Sequence, residues 1–301
     1  MIQAKLQCPA KVNLFLEVTG RRPDGYHNLA TIFAKISLFD GLEICPQAEG
    51  PVEFAMENRT GFQIPEGPEN LVVRAAEAFR KTFRIGCGVR IALQKNIPPG
   101  AGLGGGSSDA AGTLVGMARA FELDRSMRTT SLRAALRRLA GGLGADVPFF
   151  QQDAPFCVGW GIGDRLRPAP MRKALPWMLL VYPRVSVATA GVYRLLDGSR
   201  RAGVLTRLAQ LGKLQKKLET GRPVGEWAGL LFNRLEEAVL PDYPEISQAK
   251  RILRQLGVQG VLMSGSGSSV FGFVRSHEEG EQLRGRLRGY PWDVYVTCCM
   301  G

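Results

Sequence analysis

The stretch that most constrains this chain is Asn96 to Gly112, Asn-Ile-Pro-Pro-Gly-Ala-Gly-Leu-Gly-Gly-Gly-Ser-Ser-Asp-Ala-Ala-Gly. Five of the seven residues from Gly100 to Gly106 are glycine, and ordering each carries a backbone-entropy cost of up to about 1 kcal/mol. Ahead of it Val89, Ile91 and Leu93 alternate with Arg90, Ala92 and Gln94, which predicts a strand. Pro98 and Pro99 end that strand. Ser107, Ser108 and Asp109 are good N-cap types, so the Ala-rich sequence from about Ser108 through Leu114, Met117 and Ala118 is expected to be a helix. Strand, glycine loop and helix start together bring backbone N–H groups and partial positive charge to one place, which is what a polyphosphate needs. No Gly-Lys-Ser/Thr follows, so this is not a P-loop, and the glycine spacing is not a dinucleotide fingerprint. The bland alternative is a tightly packed structural turn.

A chain of 301 residues suits one large or two ordinary domains. Pro, Gly and polar residues gather near 153–170, which sets an expected boundary beside Cys157 and gives domains 1–157 and 158–301. The start of the chain has no apolar signal core, and the best apolar run, Leu175 to Val181, falls far short of a bilayer span. The expectation is a cytoplasmic protein without membrane contact. Six cysteines lack C-x-x-C spacing and there are only two histidines, which argues against zinc. The net charge of +12 is spread along the chain. It reads as solvated helix faces or as attraction for an anionic substrate; nucleic acid is disfavoured because aromatics do not interleave with the basic clusters.

Along the chain, Lys11 to Val18 alternates as a half-buried strand, with Lys11, Asn13, Phe15 and Glu17 on one face. Pro23-Asp24-Gly25 forms a turn that presents Tyr26 and His27, a pair able to stack on and hydrogen-bond a ring. Ala30–Phe39 and Gly41–Cys45 read as two strands joined at Asp40-Gly41. Helices are expected over 70–83, 131–140, 189–196, 203–217, 227–239 and 243–256, and strands over 177–182, 261–263, 270–274 and 293–298. Asp146 follows a glycine-led turn and precedes Val147-Pro148, either as an N-cap or as a presented carboxylate. Ser264 to Ser269 is a second small-residue loop between two strands. Phosphoryl transfer needs a phosphate cradle, charge stabilisation and a positioned hydroxyl; the glycine loop, Lys11 and Asp146 are the candidates.

Five motifs in order along nearly the whole chain resemble the GHMP kinase superfamily: Pro-Ala-Lys-Val-Asn-Leu at 9–14, Arg-Pro-Asp-Gly-Tyr-His at 22–27, the glycine motif at 99–111, Gly-Ala-Asp-Val-Pro-Phe-Phe at 144–150 and Met-Ser-Gly-Ser-Gly at 263–267. The Arg-Pro-Asp-Gly-Tyr-His motif is similar to the branch acting on a cytidine-diphosphate-linked erythritol. The resemblance implies an α+β, two-domain fold. Its N-terminal ATP-binding domain is like domain 2 of ribosomal protein S5, and its C-terminal substrate-binding domain is ferredoxin-like. It implies transfer of the ATP γ-phosphate to the erythritol 2-hydroxyl. It carries catalytic roles to Lys11 and Asp146, with Lys11 keeping Asp146 ionised. It carries ATP contacts to Asn70, Lys95, Pro98, Pro99, Gly100, Ala101, Gly102, Leu103, Gly104, Gly105, Gly106, Ser107 and Ser108. Substrate contacts fall to Asn13, Tyr26, His27, Thr189 and Tyr193, with Tyr26 and Tyr193 stacking on cytosine and His27 reading its edge. The chain departs from the pattern at Asn233-Arg234-Leu235-Glu236, where Asp is frequent at the second position, and at Ser268-Ser269, where Pro-Thr is frequent.

The expected cofactors are ATP and Mg²⁺, with Ser107 and Ser108 the candidate protein ligands. The expected partner is a small cytidine diphosphate substrate, with no nucleic acid, and the chain is expected to be a monomer or weak homodimer. Alternatives are another small-molecule kinase of the superfamily, a basic RNA-binding protein of S5-like fold, and a catalytically dead nucleotide sensor.

Overall fold

The computed structural model describes residues 1–173, 175–197 and 203–300. Residues 174, 198–202 and 301, all inside the expected second domain, lie outside the described residues. The elements run β1 (Ala4–Arg21), β2 (His27–Pro46), β3 (Val52–Asn58), α1 (Leu71–Phe83), β4 (Val89–Lys95), α2 (Gly105–Ala120), α3 (Leu123–Ser126), α4 (Thr129–Leu143) and α5 (Val147–Phe150). They continue with β5 (Phe156–Gly161), β6 (Arg165–Pro168), β7 (Met178–Tyr182), α6 (Thr189–Asp197), α7 (Val204–Glu219), β8 (Phe232–Asn233), α8 (Glu236–Val239), α9 (Pro244–Gln255), β9 (Gln259–Met263), β10 (Val270–Phe273), α10 (His277–Arg286) and β11 (Asp293–Thr297). The fold is mixed α and β. Two compact units form, neither a single stretch of chain. The first holds Met1–Ala10, Leu38–Pro99 and Gly104–Asp153; the second holds Lys11–Ser37, Gly100–Leu103 and Ala154–Gly301.

In the first unit β4 lies between β3, parallel to it, and the Gly41–Pro46 half of β2, antiparallel to it. The alternation of β4 puts Val89, Ile91 and Leu93 into a core shared with Val72 and Phe79 of α1, Leu114 and Met117 of α2, and Leu132 of α4. Helix α2 is buried along most of its length, so its small residues serve packing. A Cβ on Gly112 would lie 2.4 Å from Cys8 Sγ, and one on Gly116 2.6 Å from Ile44 Cδ1. Only glycine lets the helix come this close to the strands.

In the second unit β5 pairs with the Leu29–Ala34 part of β2 and with β6. The two-residue β8 pairs parallel with β1, Phe15 opposite Phe232 and Leu16 opposite Asn233. A separate antiparallel sheet has the order β11-β7-β10-β9. Its core joins Leu179 and Val181 to Val270, and to Ile246 and Leu253 of α9.

Several local expectations fail, each for a tertiary reason. Asp40-Gly41 is not a turn. The strand runs through it because Asp40, fully buried, accepts from the Asn96 and Ile97 amides at 2.6 and 2.8 Å. The predicted helix over 227–239 breaks into short 3₁₀ turns, β8 and α8, since Asn233 is drawn into pairing with β1. The strand from Lys11 is buried on both faces: Lys11, Asn13 and Glu17 are 4%, 1% and 0% exposed. Helix α2 starts at Gly105 rather than Ser108, because Gly104 at φ 69° takes the N-cap position and leaves Ser107 and Ser108 in the first turn. Strands β3, β5 and β6 were not anticipated; β5 carries Gly159 and Gly161, which weaken any strand pattern.

Candidate active site

In the second unit, Lys11 and Asn13 point the same way from β1, two residues apart. Lys11 Nζ donates to Asn13 Oδ1 at 2.7 Å, and Asn13 Nδ2 donates to Thr31 Oγ1 at 2.8 Å. The Thr31 hydroxyl donates to the Phe15 carbonyl at 2.7 Å, so the relay fixes which way the Asn13 amide faces. The Lys11 ammonium also lies 5.8 Å from the centre of the Phe33 ring.

The first half of the glycine loop is seated beside these residues. The Lys11 amide donates to the Leu103 carbonyl at 2.9 Å. Gly100 and Gly102 have φ of 64° and 74°, a region that favours glycine. A Cβ on Gly102 would fall 2.1 Å from the Ser264 carbonyl oxygen, so the two small-residue loops touch backbone to backbone. The contact is bonded: Ser264 Oγ donates to Gly102 O at 3.0 Å, and the Ser269 amide to Ala101 O at 3.1 Å. Gly265 at φ 55° passes so near Lys11 that a Cβ there would lie 3.0 Å from Nζ.

The ring residues belong to this unit as well. His27 is buried and stacks on Tyr193, centroids 5.2 Å apart at 21°. Tyr26 is 60% exposed at the turn exit. Thr189 starts α6, and its hydroxyl shares a 2.8 Å hydrogen bond with Ser266 on the second loop. All five predicted substrate residues and Lys11 therefore lie in one unit.

The remaining predicted residues lie in the first unit. Asn70 caps α1: its Oδ1 accepts from the Val72 amide at 2.9 Å, and its Nδ2 donates to Pro65 O at 2.6 Å. Beside it is a cavity of about 720 Å³ lined by Met56, Asn58, Phe62, Pro65 and Glu69 among others. Lys95 is buried and ion-paired with Asp40 and, at 2.9 Å, with Asp109. Burial alone would lower its pKa; Asp109 and Asp40 more than offset that and hold it above its ordinary value. Burial, with Asp40 alongside, pushes the Asp109 carboxyl up to about 7 against the pull of Lys95. Pro98 and Pro99 lead out of β4. Gly105 presses on Lys95, its would-be Cβ lying 2.8 Å from Nζ. Gly106 and Ser107 are at the start of α2, and the Ser108 hydroxyl there is buried without a protein partner. Asp146 occupies the N-cap position of α5, but its side chain makes no capping bond.

Sequence reasoning missed Thr31, Asp40, Asp109 and Ser266, which support the predicted residues. Asp109, an acid inside the glycine motif, and Ser266, inside the second small-residue loop, lay in stretches that the sequence marks; Thr31 and Asp40 did not. The second unit brings together the first turn of the glycine loop, a buried lysine and paired aromatic rings, and the first unit carries the start of α2 and Asp146; these are kinds of group that a small-molecule kinase uses.

Comparison with known proteins agrees. The GHMP kinases N terminal domain matches residues 70–152, and the GHMP kinases C terminal domain matches residues 214–291. The 4-diphosphocytidyl-2-C-methyl-D-erythritol kinase of Pelobacter propionicus is 39% identical over 97% of this chain and 97% of its own length. That of Symbiobacterium thermophilum is 38% identical over 97% and 98%. A crystal structure of 4-(cytidine 5'-diphospho)-2C-methyl-D-erythritol kinase superposes with a TM-score of 0.77 at 35% identity, covering 99% of this chain and all of that one. The chain belongs to the GHMP kinases, and within them to the 4-diphosphocytidyl-2-C-methyl-D-erythritol kinase family.

Proposed function

We propose that this enzyme transfers the γ-phosphate of ATP to the 2-hydroxyl of 4-diphosphocytidyl-2-C-methyl-D-erythritol, a step toward isoprenoid precursors. The observation that carries the proposal is the grouping of Lys11, Asn13, Gly100–Leu103 and the His27–Tyr193 ring pair in one unit. A phosphate loop next to a buried lysine suits any kinase of this superfamily. Two stacked rings at the exit of the Arg22–His27 turn suit an acceptor that carries a base.

In this proposal Tyr26 and Tyr193 hold the cytosine by stacking, His27 reads its edge, and Asn13 and Thr189 orient the acceptor. Lys11 neutralises charge that builds on the transferred phosphoryl oxygens. Asp146, at the start of α5, takes or steers the hydroxyl proton. Because such transition states are loose, positioning contributes more than the base does. The backbone of Gly100–Gly106 cradles the triphosphate, and the cavity beside Asn70 receives the nucleoside. In this reading residues 1–157 supply most of the ATP-binding part and 158–301 most of the substrate-binding part, with Asn13, Tyr26 and His27 of the first stretch joining Thr189 and Tyr193 in the second unit.

GHMP kinases use ATP; Mg²⁺ belongs to the proposal. Among the described residues no three His, Cys, Asp or Glu side chains form a ready-made metal group. The donor that fits is the unpartnered Ser108 hydroxyl at the start of α2, with Ser107 beside it. The ion would neutralise phosphate charge there. No helix among the described residues is long and apolar enough to cross a membrane. We place the enzyme in the cytoplasm as a monomer or weak homodimer without a nucleic-acid partner.

The test is incubation with ATP, Mg²⁺ and a panel of alcohols, read by product mass. The expected product is the cytidine substrate heavier by one phosphoryl group. Phosphorylation of homoserine or mevalonate in its place would overturn the assignment. Tyr26→Ala should raise KM for the cytidine substrate by roughly tenfold, the loss of one base–aromatic stack, and leave KM for ATP alone. Equal rises in both would remove the stacking role.

A further inference from the structure

We infer that Asn233 and Glu236 are positioning residues that set the second small-residue loop and, through it, Lys11 and Gly102. The inference deepens the proposed kinase reading and rests on it.

Asn233 is 2% exposed and is tied to the strand that bears Lys11, since β8 pairs with β1 at Leu16. Its Nδ2 donates to the Met263 carbonyl at 2.8 Å and to the Gly265 carbonyl at 2.7 Å. Its Oδ1 accepts from the Leu235 amide at 3.0 Å. Two carbonyls need donors and one amide needs an acceptor, so only one orientation of the side chain satisfies all three. Three residues on, Glu236 Oε1 accepts from the Met263 amide at 2.8 Å and also takes Lys250 as an ion-pair partner. Met263 is thus clamped on both its amide and its carbonyl by side chains from one short segment. The loop that leaves Met263 closes with Ser264 N on Ser269 O at 2.8 Å and Gly267 N on Ser264 O at 2.9 Å.

What this loop then touches is the site. Ser264 bonds Gly102 O, Ser269 bonds Ala101 O, and Gly265 lies against Lys11 Nζ with Asn13 Oδ1 close by. A shift of the Gly265 carbonyl moves the wall along which the Lys11 ammonium lies. A shift of Ser264 moves the Gly102 carbonyl. Neither Asn233 nor Glu236 is placed against substrate, so their effect reaches the chemistry only through the loop. An ångström of misplacement at a reacting centre is worth about 10²-fold in rate.

The test uses the full chain and three variants whose folding is checked by circular dichroism and thermal melting. Asn233→Asp keeps the shape but replaces two donated hydrogen bonds by repulsion between oxygens. It should lower kcat by about tenfold or more and weaken ATP binding measured by calorimetry, with KM for the cytidine substrate nearly unchanged. Glu236→Ala should behave likewise. Glu236→Gln retains an acceptor for the Met263 amide, so its kcat should stay within about twofold of wild type even though Lys250 loses its counter-charge and the melting temperature falls. Asn233→Asp and Glu236→Ala proteins that melt earlier but turn over like wild type when folded would overturn the inference. So would Glu236→Ala matching Glu236→Gln, a comparison that decides the matter if Asn233→Asp does not fold. Wild-type protein that binds ATP but leaves the cytidine substrate untouched would instead sink the proposed substrate, and ATP affinity in Asn233→Asp would still report on the loop.

Discussion

Two buried lysines invite comparison, because each has a glycine pressed against its ammonium. Lys95 in the first unit faces Gly105, and Lys11 in the second faces Gly265. Lys95 is enclosed by Asp40 and Asp109, one of which also binds the Asn96 and Ile97 amides. Its charge is answered inside the fold, and it anchors the exit of β4 from which the glycine loop starts. Lys11 donates to Asn13, which is itself tied to Thr31, and lies where the two small-residue loops meet. The same residue type, equally buried, is foundation in one place and instrument in the other. What differs is where each ammonium lies: one beneath the start of the glycine loop, the other against the loops themselves.

Breaking the foundation should show first in stability. Lys95→Met leaves two buried carboxylates without their cation and should destabilise the protein by about 3–5 kcal/mol, read from denaturant midpoints. Adding Asp109→Asn should recover part of the loss. Lys11→Met should lower kcat by about 10²–10³-fold with little change in the melting temperature. Comparable destabilisation at both lysines would erase the distinction between them. The glycines sharpen it. Gly105→Ala brings a Cβ to within 2.8 Å of both Ile97 Cγ2 and Lys95 Nζ, an overpacking worth about 1–3 kcal/mol. Gly265→Ala is strained at φ 55°, costs about 1–2 kcal/mol and should reduce kcat, since the new methyl displaces Lys11.

A pH slope probes the same foundation without a change to Lys95. Asp109 is held at about 7 in the folded protein, above its ordinary 3.8, with Asp40, Lys95 and Cys8 facing it. A carboxyl with a raised pKa binds its proton more tightly when folded. Its contribution is fully present below about pH 4 and is lost as pH rises through about 7. Unfolding free energy measured across that range should carry a falling component that Asp109→Asn removes.

Much of the site was legible because its chemistry is local. Strand, glycine run and helix follow one another over 89–120, and the Pro-Asp-Gly turn announces Tyr26 and His27. What was illegible depends on partners distant in the chain. Asp40-Gly41 has good turn chemistry, yet the amides of residues 96 and 97 recruit Asp40 and the strand continues. Residues 227–239 have helical apolar spacing, yet Asn233 is claimed by β1 and by carbonyls thirty residues on. Arg234, which departs from the family pattern, makes a bidentate pair with fully buried Glu17 at 2.7 and 2.8 Å. The Glu17 hydrogen bonds hold its guanidinium pKa above the ordinary range. Sequence placed Glu17 on the polar face of a strand, with nothing to say that its counter-charge lay 217 residues away.

The broken-up course of the second unit has a consequence for how the protein is made. Lys11–Ser37 is synthesised early, yet its partners come late. Leu29–Ala34 pairs with Phe156–Gly161, Phe15 with Phe232, and Ser37 and Lys35 bond to Cys298 and Met300. A nascent chain emerging at about 5–20 residues per second carries these apolar strand segments for many seconds before the last bonds can form. Until then Phe15, Leu16 and Ile32, all buried at the end, are without their late strand partners. A fragment beginning at residue 158 would lack the partners of β8 altogether.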